Sequence, residues 1–183
     1  SDVYKRQAVT SAVEKVRSIV QELEAVGFPC LTITGGGTGT YMHEADSALY
    51  TEVQPGSYVL MDTDYAANKL EAGSKPLQHA LFGLCTVISV QDGHAVLDGG
   101  LKAFAVDQGL PRMQLQGWSV KTLSDEHTVI VPDDSAAPLQ VGDKVRLIPS
   151  HCDPTVNLHD WLIAFRDTTV EQAWPVSARG ALF

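Results

Sequence analysis

The strongest constraint on this chain is the order of its first pieces. Val9, Ala12, Val13, Val16, Ile19, Val20, Leu23 and Val26 recur at helical spacing. Gly27 stands where a helix C-cap belongs, and Pro29 cannot continue the helix. Leu31-Thr32-Ile33-Thr34 then predicts a short strand, stopped by Gly35-Gly36-Gly37. Helix, glycine stop, strand and glycine-rich loop in that order belong to a parallel α/β sheet. A second such unit is expected to end in a strand over residues 57–62, entered through Pro55-Gly56.

Past about Ser74 the pattern changes. Residues 85–90 (CTVISV) are β-rich, Gln91-Asp92-Gly93-His94 reads as a hairpin turn, and residues 95–98 read as the returning strand. Further short strands are expected at 128–131, closed by Pro132, at 141–149 after Gly142-Asp143, and at 160–165. Helical periodicity is nearly absent there. The fold class expected is therefore α/β followed by all-β, with domains at residues 1–75 and 76–183. There is no internal repeat and no low-complexity tract.

Composition narrows the function classes. With 44% hydrophobic residues in 183, the chain can bury a core, which excludes wholesale disorder. No apolar run approaches the roughly 20 residues of a membrane helix. Thirteen Lys+Arg against 22 Asp+Glu leave a formal charge of -9, and an acidic surface repels phosphate backbones, so neither nucleic acid nor membrane is an expected partner. Three widely spaced cysteines, Cys30, Cys85 and Cys152, make no disulfide framework, so a reducing, cytoplasmic location is expected. The start has neither an initiator Met nor a signal-peptide core, and the residues from about Ala8 look like the inside of a helix. A piece of a longer protein is the expectation.

Two loops could carry chemistry. Gly35-Gly36-Gly37-Thr38-Gly39-Thr40-Tyr41 follows a predicted strand. Glycines let backbone N–H groups approach an anion, and threonine hydroxyls add donors. No Lys follows the last Gly, and Thr40 replaces the third Gly of a dinucleotide fingerprint, so neither nucleotide motif is present. A flexible turn is the alternative reading. Gln54-Pro55-Gly56-Ser57-Tyr58 is a second phosphate contact or a plain turn. On neighbouring strands, the two loops could grip one phosphate of a small cofactor, with Tyr41 and Tyr58 beside it.

The most distinctive stretch is Pro149-Ser150-His151-Cys152-Asp153-Pro154-Thr155-Val156-Asn157-Leu158. In extended chain, residues two apart face the same side, so His151 and Asp153 would project together with Cys152 opposite. An imidazole and a carboxylate suit a divalent ion such as Mn²⁺ or Zn²⁺, and two protein ligands leave positions for water or substrate. The alternatives are a surface polar pair and, for Cys152, a small buried residue. Asp125-Glu126-His127 reads as a polar turn or as an acid, base or ligand. His43 could move a proton or simply open a helix. Asp98-Gly99-Gly100 suits a bulge or turn. Trp118, Trp161 and Trp174 suit core or interface packing.

Taken together, five segments resemble one family: residues 34–41 (TGGGTGTY), 52–62 (EVQPGSYVLMD), 96–103 (VLDGGLKA), 124–127 (SDEH) and 151–158 (HCDPTVNL). In the same order and over essentially the whole chain, they look like the D-threonine aldolase and D-serine dehydratase group. The resemblance implies an alanine-racemase-type fold, the last part of a pyridoxal-phosphate (PLP)-binding (β/α)₈ barrel followed by a β domain. It implies PLP held at its phosphate by Gly37, Thr38, Gly56, Ser57 and Tyr58. Gln54 would lie near the pyridine nitrogen, where a neutral partner favours an unprotonated ring. His151 and Asp153 match the metal ligands, and His-x-Asp is the form of the aldolases, whereas the dehydratases carry His-x-Cys.

The implied activity is cleavage of a D-3-hydroxy amino acid, of the D-threonine type, to glycine and an aldehyde, with a homodimer as the implied assembly. The alternatives are D-serine dehydratase chemistry, an inactive fragment, and a binding module. One departure stands out. None of Lys5, Lys15, Lys69, Lys75, Lys102, Lys121 and Lys144 sits in the family's Schiff-base lysine motif, which lies on an earlier barrel segment. The resemblance therefore identifies a parent activity, with this chain alone expected to be inactive.

Overall fold

The computed structural model describes residues 2–68 and 75–181, with only the backbone at residues 2 and 3. Ser74, about which the change of pattern is expected to begin, lies outside the described residues, as does Lys69. The chain forms two compact units, Ser1–Val59 with Tyr65–Leu77, and Leu60–Asp64 with Gln78–Phe183.

In the first unit the predicted helix is present as α1 (Asp2–Ala25). Gly27 adopts φ +88. Its N–H donates to the Glu24 carbonyl at 3.0 Å, and the Phe28 N–H donates to the Leu23 carbonyl at 3.0 Å. This is a Schellman stop, which satisfies carbonyls the helix end would orphan. Strand β1 (Thr34–Gly35) pairs in parallel with β2 (Glu52–Val53), Thr34 opposite Glu52 and Gly35 opposite Val53. Helix α2 (Tyr41–Asp46) lies in the sequence between them.

Two expectations need correction. The strand predicted over 31–34 is reduced to Thr34–Gly35, because among the described residues only 51–54 offer it partners, and Leu31 is 84% exposed. The strand predicted over 57–62 is absent. Ser57–Val59 is a 3₁₀ turn, closed by the Val59 N–H on the Gly56 carbonyl, and Met61 at φ +54 cannot continue an extended chain. Pro55-Gly56 starts a turn there, and that local chemistry overrides the apolar run.

Short helix α3 (Thr63–Ala66) comes next in the sequence. The second unit holds β3 (Gly83–Gln91), β4 (His94–Leu97), β5 (Arg112–Met113), β6 (Trp118–Leu123), β7 (Thr128–Pro132) and β8 (Lys144–Ile148). They make a six-stranded antiparallel sheet in the order β5-β8-β3-β4-β7-β6. The end strands β5 and β6 approach each other, so the sheet is nearly closed. Inward positions alternate with outward ones, which puts Cys85, Val87, Ala95, Leu97, Met113, Ile130, Val145 and Leu147 in one core with Phe104. The predicted hairpin is present, Gln91 opposite His94, with Gly93 at φ +76. Gly83 is required by packing, since a Cβ there would lie 2.1 Å from the Phe104 ring.

After β8 come helix α4 (Cys152–Val156) and a separate hairpin of β9 (Trp161–Arg166) and β10 (Thr169–Pro175). Trp118 packs against the core and donates from Nε1 to the Ala137 carbonyl at 2.9 Å. Trp161 and Trp174 are exposed on the hairpin rather than in the core. No helix among the described residues is long and apolar enough to cross a membrane.

Candidate active site

The first-unit loops leave the ends of adjacent parallel strands. The Gln54 N–H donates to the Gly35 and Gly36 carbonyls, at 3.1 and 2.9 Å. The Tyr58 N–H donates to Thr38 Oγ1 at 3.2 Å. These bonds tie the two loops into one cup. The glycines divide by role. A Cβ at Gly35 would meet the Tyr50 ring at 2.8 Å, and Gly36 sits at φ +79 with a Cβ 3.0 Å from Glu44 Cδ, so both serve the fold. A Cβ at Gly37 or Gly56 would meet nothing within 4 Å. Both glycines thus face open space. Among the described residues, the N–H groups of Gly37, Thr38 and Gly56 have no protein acceptor.

Ser57 is buried at the rim, while Gln54 and Tyr58 are exposed. Tyr41 and His43 lie half-buried in α2. Lys5 was not singled out by the sequence. It donates to Asn68 Oδ1, and its Nζ lies 3.6 Å from where a Gly39 Cβ would be. Glu44 is buried behind the loop, and its Oε2 has no hydrogen-bond partner among the described residues.

In the second unit, β8 feeds a buried turn at Pro149-Ser150. The N–H groups of Thr63 and Asp64 donate to the carbonyls of Pro149 and Ser150, at 3.1 and 3.2 Å. The Ser150 hydroxyl donates to the Ala105 carbonyl at 3.1 Å. His151 follows with extended backbone (φ -141, ψ 120) as the N-cap of α4. The extended reading of His-x-Asp therefore holds for His151 only, and Asp153 lies in the first helical turn. Pro154 accounts for the change, because proline is well tolerated in a helix's first turn. The two side chains still converge, with Nε2 to Asp153 Oδ2 at 4.0 Å. Cys152 is buried, its N–H held by the fully buried Asp62 carboxylate at 2.9 Å.

His151 has a second carboxylate that the motif does not reveal. Its Nδ1 lies 2.6 Å from Asp107 Oδ2. An ionised carboxylate only accepts, so Nδ1 carries the proton. That hydrogen bond holds the imidazole above its usual range, against a desolvation that works the other way, with the charges of Asp107, Asp153 and Asp62 adding to the rise. The same bond holds the Asp107 carboxyl below the usual carboxylate range. Asp107 sits in irregular chain 44 residues from His151 and Asp62 sits 90 residues from Cys152, so no local pattern could have found either.

Among the described residues no group of three or more His, Cys, Asp and Glu side chains could share a metal ion. An ion here would have His151 and Asp153 as its protein ligands. Metal–nitrogen and metal–oxygen bonds of about 2.0–2.2 Å put adjacent ligand atoms roughly 3.0–3.5 Å apart, so the exposed Asp153 side chain would move in from the present 4.0 Å to share the ion. Asp125-Glu126-His127 is the expected polar turn between β6 and β7, where Lys102 Nζ lies 2.6 Å from Glu126 Oε1. The two sets of residues belong to different units, the cup to the first and His151 with Asp153 to the second.

The family model described as "Putative serine dehydratase domain" matches residues 80–165. A 3-hydroxy-D-aspartate aldolase of Paracoccus denitrificans (strain Pd 1222) is 43% identical over 96% of this chain and 46% of its own length. A D-threonine aldolase of an Arthrobacter species is 40% identical over 96% of this chain and 47% of its own. The chain thus spans about half the length of these curated relatives. The crystal structure of D-threonine aldolase from Filomicrobium marinum superposes with TM-score 0.92 at 37% identity, covering 98% of this chain and 50% of that one. An alanine-racemase-like protein from Idiomarina loihiensis matches at TM-score 0.74 and 23% identity, over 93% of this chain and 51% of that one, which shows the alanine-racemase-type fold.

Proposed function

Because the chain belongs to the family of D-threonine aldolases and D-serine dehydratases, we propose that it is the C-terminal portion of a lyase dependent on PLP and a divalent metal. The parent cleaves Cα–Cβ of a D-3-hydroxy amino acid, D-threonine giving glycine and acetaldehyde. The observation that carries this reading is the convergence of His151 Nε2 and Asp153 Oδ2, 4.0 Å apart, with the other imidazole nitrogen already engaged by Asp107. Such a donor set suits Mn²⁺ or Zn²⁺ and leaves positions for substrate oxygen.

The cup fits a phosphate, since Gly37 and Gly56 border open space that a Cβ would fill. Gly37, Thr38 and Gly56 would hold its oxygens through backbone N–H groups, with the hydroxyl of Ser57 and the Tyr58 side chain beside them. Gln54 would face the pyridine nitrogen as a neutral partner. When bound, PLP supplies the electron sink for the breaking bond, and the metal eases loss of the 3-hydroxyl proton. The chain's own share is to grip the phosphate in the first unit and to present His151 and Asp153 in the second. The buried Asp62 carboxylate and the Thr155 hydroxyl, which donates to the His151 carbonyl at 2.8 Å, fix the backbone that carries them.

This chain alone would be inactive, for want of a lysine in the Schiff-base motif. The parent would act on a small D-amino acid as a homodimer in the cytoplasm. The test is aldehyde release from D-threonine by the full-length parent. His151→Ala and exhaustive chelation should each abolish it, and Mn²⁺ or Zn²⁺ should restore only the unaltered enzyme. Full activity after metal removal would overturn the assignment. Pyruvate and ammonia from D-serine, without aldehyde from D-threonine, would transfer it to the dehydratase reaction, which the matched domain's description favours.

A further inference from the structure

Resting on that metal reading, the geometry points to Asp107 as the positioning residue of the site, the carboxylate that fixes the tautomer and rotation of His151 so that Nε2 presents its lone pair toward the gap at Asp153. Imidazole can hold its proton on either nitrogen, and only the unprotonated one can ligate. A free histidine samples both tautomers and rotates about χ1 and χ2. Here Nδ1 is pinned at 2.6 Å to Asp107 Oδ2. The opposite nitrogen is the one 4.0 Å from Asp153 Oδ2. A carboxylate behind a ligating histidine restricts ring orientation and raises ligand basicity, and its loss weakens metal binding by roughly 10- to 100-fold.

Several features make Asp107 more than a surface partner. The His151 side chain is only 25% exposed, so its ring has few other orientations. The ring's backbone is anchored independently, by the Thr155 hydroxyl on the His151 carbonyl and by Asp62 on the Cys152 N–H. The chain around Asp107 is joined to the same turn, because the Ala105 N–H donates to Thr155 Oγ1 at 3.2 Å and the Ala105 carbonyl accepts from Ser150. Residues 105–107 and 150–155 thus form one braced element, built so that the carboxylate meets the ring. Asp107 contributes nothing to the core, since its side chain is 46% exposed.

The test uses this chain as it stands, with Zn²⁺ alone as the probe. Isothermal titration on the unaltered chain, Asp107→Ala, Asp107→Asn and His151→Ala should show affinity lost by roughly 10- to 100-fold in Asp107→Ala. Asp107→Asn, which keeps an acceptor, should fall in between, with melting temperatures unchanged. A second readout is the ¹⁵N chemical shifts of the metal-free His151 ring at a pH where it is neutral. They should report the Nδ1–H tautomer in the unaltered chain and a shift toward Nε2–H in Asp107→Ala. Zn²⁺ binding through His151 with affinity within twofold in Asp107→Ala would overturn this inference and leave the metal reading standing. Binding indifferent to His151→Ala would overturn both. An Nε2–H tautomer in the unaltered chain would overturn the inference whatever the metal does.

Discussion

The two units solve the same problem unequally. The second wraps a nearly closed six-stranded sheet around Val87, Ala95, Leu97, Phe104, Ile130 and Leu147, each at most 1% exposed. The first presents a 24-residue helix of which Val13 is the one buried hydrophobic residue among those described, while Ile19 and Leu23 are exposed, as is Val26 just past its end. Its parallel strands pair over two residues each. Parallel sheets are ordinarily covered on both faces. Helical periodicity and a glycine stop suffice to form α1, but burial needs partners that a two-strand ladder does not supply. Folding and site construction are separate achievements, since the glycine cup is built on the thin unit and the histidine–carboxylate pair on the packed one.

The largest effect that would sharpen this contrast is Phe104→Ala. The ring is 1% exposed and fills the space left by Gly83 and Gly99, so about 3–5 kcal/mol should be lost in urea unfolding. Val13→Ala, the matching truncation in the first unit, should cost roughly 1–2 kcal/mol. Equal losses would erase the distinction.

The glycine loop gives the next contrast. Gly35→Ala drives a Cβ to 2.8 Å from the Tyr50 ring and should cost about 1–3 kcal/mol, whereas Gly37→Ala meets open space. The thermal midpoint of Gly37→Ala should match the unaltered chain. A matching loss there would show that the cup is occupied by the protein itself.

Thiol labelling separates the units chemically. Cys85 and Cys152 are buried and Cys30 is half-buried, and none of the three is in a disulfide among the described residues. Burial, with the Asp98 charge adding, pushes the Cys85 thiol up to about 12. One label per folded chain, at Cys30, is expected by mass spectrometry at pH 8, and three in denaturant. The smallest expected effect is Ile19→Ser on the exposed face of α1, within about 0.5 kcal/mol. A drop of several kcal/mol would show that this face is covered in solution.

Legibility followed the range of the forces involved. α1, its Gly27 stop and the Asp92-Gly93 hairpin are decided by residues within a turn of each other, and they stand where the sequence puts them. The strand expected at 57–62 failed because an apolar run reports burial and not conformation, and Pro55-Gly56 turned the chain first. β5, β6 and β10 went unread, since their pairing is decided by neighbours distant in sequence. In the candidate site, His151, Asp153 and the glycines were visible as motifs. Asp107, Asp62 and Lys5 were not, because each is an isolated polar residue until the fold gives it a partner.

Taken alone, the order of residues determined which segments helix and turn chemistry would claim, and which side chains could offer a cation or an anion their lone pairs and N–H groups. Those properties are local, set by backbone sterics and functional groups. Tertiary structure alone decided that Asp107 meets His151 at 2.6 Å and that a carboxylate 90 residues from Cys152 holds its N–H. The reason is that orientation and protonation depend on which charges and donors come within a few ångströms. Only the closing of the sheet and the bracing of its loops bring them there.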